Sequence, residues 1–289
     1  MSLAAVLLTL VFGGLVGTVS GLFGIGGGVL NVPFLYELLD GAPWTGVPVE
    51  LGHQTVLAHG TSLAVIVPTA LSGAWIHHRA GRVEWGVAIP MALGAMVSAP
   101  FGAGLAVGVD PDLLKALFGA VLLAAGIRLG IRPRVDLGME ALSEPKTGPQ
   151  GSARVIAATA LGVFEGLFAA LMGIGGAVIT IPMLIWGLRV EMSRVAGTAI
   201  VVVVAAASAG VLSYVRAGMG VVGLPPFSFG FVFLPAVAAL VPGAVLMARV
   251  GARLNHRMAT RRLSTLFALL LGLVGLRLVL LHGATALIG

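Results

Sequence analysis

Apolar runs recur along this sequence from one end to the other, at about 3–20, 29–39, 54–76, 85–107, 113–131, 153–172, 177–187, 196–217, 227–249 and 261–281. Runs of about 17–25 apolar residues are what a helix needs to cross the hydrocarbon layer of a bilayer. An open strand cannot satisfy its backbone polar groups there, so the runs are expected to be helices. The chain is therefore read as an all-α, multi-pass integral membrane protein surrounded by lipid. Charge agrees: only 10% of its 289 residues are Asp, Glu, Lys or Arg, against roughly 25% in a soluble domain. A sequence pI near 11.0 does not point to nucleic acid, because the arginines fall between apolar segments rather than on one soluble face. There is no cysteine, which excludes disulfides and thiol chemistry. The start, MSLAAVLLTLVFGG, lacks a basic leader region and reads as a retained helix rather than a signal peptide.

The longest polar stretch, RPRVDLGMEALSEPKTGPQGS at 132–152, divides the chain near its middle and reads as a cytoplasmic linker. It separates an N-terminal transmembrane repeat, 1–131, from a C-terminal one, 153–289. The two halves resemble each other. At an offset of 149, residues 13–35 match 162–184 at ten of 23 positions, including Gly13/Gly162, Gly17/Gly166, Gly24/Gly173, Gly26/Gly175, Gly27/Gly176 and Pro33/Pro182. At an offset of 137, HGTSLAVIV (59–67) lies over AGTAIVVVV (196–204), and HRAG (78–81) over VRAG (215–218). Glycines, threonines and arginines falling in one order indicate a duplication.

Orientation follows from the basic residues, which favour the cytoplasm when they lie in short loops. If each glycine-split pair, 3–39 and 153–187, enters and leaves on one side, the loops 77–84, 128–154, 188–195 and 249–262 are cytoplasmic and hold 14 of the 17 Lys and Arg. Both termini then lie outside the cytoplasm, and each half has an odd number of crossings. The halves are thus expected to be inverted repeats of about five helical segments each. Segments 29–39 and 177–187 are short, with 11 residues or roughly 16 Å of helix. They are either re-entrant half-helices or full crossings.

Each short segment follows a glycine cluster: GLFGIGGGVLNVPF at 21–34 and ALMGIGGAVITIPM at 170–183. Paired Gly-interrupted segments in inverted repeats are the recurrent build of secondary transporters, whose sites lie near the midplane where helices break. A break exposes backbone N–H groups and a positive dipole end, which attract an anion. Glycine lets the backbone turn and lets a ligand approach, having no Cβ. Gly24, Gly26, Gly27 and Gly28, with Gly173, Gly175 and Gly176, are accordingly the candidate substrate-binding backbone. Asn31 and Thr180, at matching positions just inside the short helices, can add polar contacts. Gly13, Gly17 and Gly21, and their partial repeat Gly162 and Gly166, have the spacing of helix-packing rows instead. The clusters lack G-x-G-x-x-G spacing and a following Lys, so no nucleotide loop is read.

These stretches, together with HGTSLAVIVPTALSGAWIHHRAGRVEW, FGAVLLAAGIRL and the second-copy AGTAIVVVVAAASAGVLSYVRAG, resemble the TauE/SafE sulfite exporter family, also called the 4-toluene sulfonate uptake permease family. The resemblance covers nearly the whole chain. It implies transport of a small sulfur-containing anion (sulfite, sulfoacetate or another organosulfonate) across the bacterial inner membrane. The second copy departs at Gly28/Ala177 and Ser62/Ala199, so the half-sites need not contribute equally.

Other residues carry two readings each. Thr61, Ser62 and Thr198 begin long helices after a glycine; their hydroxyls line a polar path or bond local backbone. Gln54, His53 and His59 lie at the outer end of 54–76, where a histidine is usually interfacial, and His77 and His78 fall in a cytoplasmic loop. Neither these nor the carboxylates have metal-ligand spacing, so no metal and no cofactor is expected. Glu165 lies roughly 12 residues into a helix, about 18 Å deep, where a carboxyl by default suggests function. It is the candidate proton-coupling residue, with a packing role as the alternative; its first-half counterpart is Val16. Arg79 and Arg216 end matching helices and either attract anions to the vestibules or anchor at the headgroups. The expected function is a secondary anion transporter working by alternating access. A passive anion channel is the alternative, and an intramembrane enzyme is disfavoured because no Ser/His/Asp or metal constellation is visible.

Overall fold

The computed structural model describes residues 1–23, 27–40, 52–131, 150–255 and 260–283. Within these residues the chain is helical: α1 (Leu3–Phe23), α2 (Gly28–Leu39), α3 (Gln54–Arg79), α4 (Trp85–Gly108), α5 (Pro111–Ile131), α6 (Gly151–Met172), α7 (Ala177–Pro182), α8 (Met192–Gly218), α9 (Leu234–Asn255) and α10 (Thr260–His282). A wide π-helical turn, Met183–Gly187, continues α7. Six of the described helices are long and apolar enough to cross a membrane. Leu93, Val97 and Phe101 on α4 and Leu269, Leu273 and Leu280 on α10 are exposed, which suits a lipid-facing surface. Most of the expected linker lies outside the described residues.

Local chemistry sets the boundaries. Asp110 caps α5 by accepting from the N–H groups of Asp112 and Leu113 at 2.9 and 3.0 Å, and Pro111 takes the first helical position, where no N–H is needed. Gly173, in the left-handed conformation with φ 67°, ends α6. One segment differs from expectation. The run expected at 227–249 begins as a helix only at Leu234. Before it, Pro225 and Pro226 supply no N–H, Phe227 and Gly230 adopt φ of 65° and 55°, and Ser228 bridges Phe233. At its other end α9 runs on to Asn255, into the expected loop.

The main helix pairs are α1 with α9, α4 with α6, α5 with α10, α4 with α8 and α3 with α8. Exchanging α1–α5 with α6–α10 maps these pairs onto one another, except that α4 with α8 maps onto the less extensive pair of α3 with α9. The glycine rows carry the pairing at residue level. A Cβ on Gly13 would stand 3.0 Å from the Leu240 carbonyl carbon, and one on Gly162 would stand 2.7 Å from that of Met91, with the carbonyl oxygen nearer still in each case. Gly17 abuts Ala244, and Gly166 abuts Ala95. Positions 13 and 162, 17 and 166, 91 and 240, and 95 and 244 all differ by 149. The packing reading of these glycines therefore holds. A Cβ at such a contact meets backbone, which cannot rotate away, so overpacking costs about 1–3 kcal/mol. Gly162→Val is expected to lower the detergent-solubilised melting temperature measurably. Gly104→Ala, which faces open space, should leave it unchanged.

The helices α3 and α8 cross antiparallel. Gly60, near the start of α3, meets Tyr214 and Phe231 near the end of α8, while Gly197, near the start of α8, meets His77 and Arg82 at the end of α3. This pair forms the centre of the bundle and receives both glycine breaks.

Candidate functional site

Both glycine clusters interrupt the helix. The first break lies between Phe23 and Gly28, with Gly27 at φ 77°; Gly24 and Gly26 fall outside the described residues. The second lies between Met172 and Ala177, with Gly173, Gly175 and Gly176 at φ 67°, 72° and 80°. These left-handed conformations are strained for any other residue, which accounts for glycine at each. Glycine 28 has a different constraint: a Cβ there would lie 2.7 Å from the Cα and carbonyl carbon of Ile174. The start of α2 thus rests directly on the second break.

The breaks meet at mid-height. Gly175 packs between Ile66 and Val203, which lie at the middles of α3 and α8 and are themselves matched at an offset of 137. Asn31, one turn into α2, lines a narrow crevice with Val16, Ser20, Val65 and Thr69. α2 has 12 residues, about 18 Å, and ends short of the roughly 30 Å hydrocarbon thickness.

The first turn of α2 leaves the N–H groups of Gly28 and Val29 without an intrahelical partner, whereas those of Leu30 and Asn31 donate to Gly27 O at 3.1 Å. The amide N and O of Asn31 are buried and make no hydrogen bond among the described residues, and on α3 Ser62 Oγ is likewise buried without a partner among them. Unpaired buried polar groups are costly and rare, so each calls for an explanation. The first turn of α2 thus presents two backbone N–H groups and the Asn31 amide, donors of the kind that bind an oxyanion without any charged side chain.

The second break is built differently. Glu165 is fully buried, and its Oε1 accepts from Thr180 Oγ1 at 3.3 Å while Oε2 has no partner among the described residues. The carboxyl presses against Gly176, whose missing Cβ leaves it room. Val16 stands in the matching place against Gly27. The polar crevice residues Ser20 and Thr69 correspond to Ala169 and Ala206, and Ser62, outside the crevice lining, corresponds to Ala199. The first half therefore carries the polar lining and the second carries the one carboxyl.

Thr61 and Thr198 lie away from the crevice in their bonding. Thr61 Oγ1 accepts the N–H of Phe233 at 2.9 Å, and Thr198 Oγ1 accepts that of Glu84 at 3.0 Å. Each pins one long central helix to the start of a helix from the other half. Arg79 and Arg216 are exposed at the ends of α3 and α8, and the Arg79 guanidinium lies 4.7 Å over the Trp75 ring. His59, read from sequence as interfacial, is fully buried. Its Nε2 lies 2.5 Å from the Tyr36 hydroxyl, and Gly173 packs on its backbone. This pair was missed because nothing in the sequence shows that α2 folds back over the start of α3.

The sequence model of a family described as sulfite exporter TauE/SafE matches residues 8–278. Among curated proteins, a probable membrane transporter protein of Haemophilus influenzae is 28% identical over 95% of this chain and 98% of its own length. One from Methanocaldococcus jannaschii is 26% identical over 94% of this chain and 95% of its own length. A third, from Bacillus subtilis, is 28% identical over 92% and 96%. No solved structure matches the chain.

Proposed function

The chain belongs to the sulfite exporter TauE/SafE family and is a multi-pass membrane transporter, and from this we propose that it is a secondary carrier for a small sulfur oxyanion or sulfonate. One observation carries the reading: the two glycine breaks meet at the middle of the bundle, beside a buried asparagine amide that has no partner among the described residues. The anion accepts from the Gly28 and Val29 amides and from Asn31, held in a region that excludes water, where such bonds gain strength. The set of exchanged helix pairs supports two inverted repeats that rock about this site. Basic residues at the α3–α4 and α7–α8 turns support placing that face in the cytoplasm of the bacterial inner membrane. Glu165, beside the second break, is the coupling residue and carries a proton with or against the anion.

Binding to the detergent-solubilised protein tests the site. Titration with sulfite, sulfoacetate, taurine and a carboxylate analogue is expected to show saturable binding of the sulfur anions. Hydrogen bonds to a charged group are worth about 1.5–3 kcal/mol, and 1.4 kcal/mol is tenfold in affinity, so Asn31→Leu should weaken binding roughly tenfold or more. Leucine keeps the volume and removes an unpaired buried amide, so the fold is retained. Unchanged affinity in a folded Asn31→Leu protein would remove Asn31 from the site. Saturable counterflow of labelled substrate in proteoliposomes is the signature of a carrier; its absence alongside ohmic anion current would identify a channel.

A further inference from the structure

The matched threonine pins mark two equivalent points at opposite ends of the α3–α8 pair, and the side chains around them differ in kind. Around the Thr198–Glu84 pin they are ionic. Glu84 Oε1 lies 3.2 Å from Arg154 Nη1, and its Oε2 lies 3.4 Å from Arg194 Nη1. Arg194 also reaches Glu191, at 3.8 Å. Glu84 stands at the start of α4, Arg154 in the first turn of α6 and Arg194 in the first turn of α8, so one carboxylate ties the first half to two helices of the second. The matching positions around the Thr61–Phe233 pin are Phe233, Ala5 and Leu57, offset by 149, 149 and 137. Those three are 2%, 0% and 0% exposed and belong to one apolar cluster. One end of the α3–α8 pair is bridged by ions and the other is packed with hydrocarbon.

We propose that Glu84, with Arg154 and Arg194, is the gate of the arginine-rich mouth, and that Phe233 and Leu57 form the gate of the opposite one. The proposal rests on the alternating-access reading above. Partly exposed ion pairs add little to folding, because water screens them and holding the side chains costs entropy. Such a contact can break and re-form in every cycle at little cost. Of the two guanidinium groups, Arg194 has a second carboxylate in Glu191, whereas Glu84 is the one ion-pair partner of Arg154 among the described residues. When that mouth opens and Glu84 withdraws, Arg194 keeps Glu191 and Arg154 becomes an unpaired cation on the path of an entering anion.

The chain has no cysteine, so one introduced thiol is the sole target of a thiol reagent. Ala199 and Ser62 are matched positions, each one residue past its pinned threonine and each fully buried. A199C and S62C, in separate proteoliposome preparations, are treated with a membrane-impermeant maleimide from each side. With Glu84 intact, saturating sulfite should change the modification rates of the two thiols in opposite directions. Adding Glu84→Gln should raise the A199C rate at least fivefold and lower the S62C rate, while Glu84→Asp gives rates within twofold of the parent. If Glu84→Gln fails to fold, Arg154→Gln with Arg194→Gln removes the same bonds from the other side and should give the same shift. Reciprocal movement with sulfite but no effect of either set of substitutions would overturn the gate while leaving the carrier reading in place. Two thiols that react together, whatever the sulfite concentration, would overturn the carrier reading and the gate with it.

Discussion

Gly28→Ala is expected to abolish transport while leaving the protein folded. The added methyl meets the Cα and carbonyl carbon of Ile174 at 2.7 Å, a distance that real Cβ contacts do not show, and neither atom belongs to a rotatable side chain. The strain can be relieved only by moving the start of α2 away from the second break, by a distance on the order of an ångström. That displaces the Gly28 and Val29 amides and Asn31 together from the positions at which they converge. A displacement of about 1 Å in a binding geometry costs on the order of 100-fold in rate, and initial uptake should fall by at least that factor. The helix pairs that hold the bundle, α1 with α9 and α4 with α6, are not touched, so size-exclusion behaviour should be retained. Gly104→Ala is the control, since nothing lies within 4 Å of the added atom. Its transport should equal that of the parent. A folded Gly28→Ala protein with normal uptake would mean that the contact between the breaks has no part in transport.

Glu165→Gln is expected to separate exchange from accumulation. The carboxyl is fully buried, accepts a single hydrogen bond from Thr180 and has no cation partner among the described residues. An uncompensated charge in such a place is expensive, so a group that takes up and releases a proton as the cycle turns fits it better than a permanent carboxylate. Glutamine keeps the shape and the oxygen that faces Thr180 but cannot exchange a proton. If one proton moves with one anion, each pH unit across the membrane sustains about tenfold accumulation, because 1.4 kcal/mol is tenfold in an equilibrium constant. Glu165→Gln should reduce that accumulation to none while counterflow exchange continues at a rate within a fewfold of the parent. If Glu165 serves only in packing, the variant will accumulate substrate as the parent does.

The sequence was informative wherever a short window carries the physics. Apolar length located the helices, and the clustered glycines located both breaks, because no other residue adopts the conformations of Gly27, Gly173, Gly175 and Gly176 without strain. The depth of Glu165 followed from counting residues along one helix. Features that depend on distant partners were not legible. Thr61 and Thr198 read as ambiguous hydroxyls because their acceptor role involves Phe233 and Glu84, 172 and 114 residues away. The buried state of His59 depends on Tyr36, carried over it by the fold of α2. The run at 227–233 read as helix on hydropathy alone; the two prolines before it should have outweighed that. The asymmetry of the site was visible in part, through Glu165 against Val16. That Asn31 and Ser62 lack partners could be learned only once the neighbouring helices were in place.

The account turns on where the anion sits. A structure determined in complex with selenite, used as an anomalously scattering analogue of sulfite, measures this directly. A selenium peak is expected beside the crevice, with an oxyanion oxygen in hydrogen-bond reach of the Gly28 and Val29 amides and of the Asn31 side chain. Selenium found only at the exposed arginines, with the Asn31 amide still unpaired and the breaks empty, would contradict it.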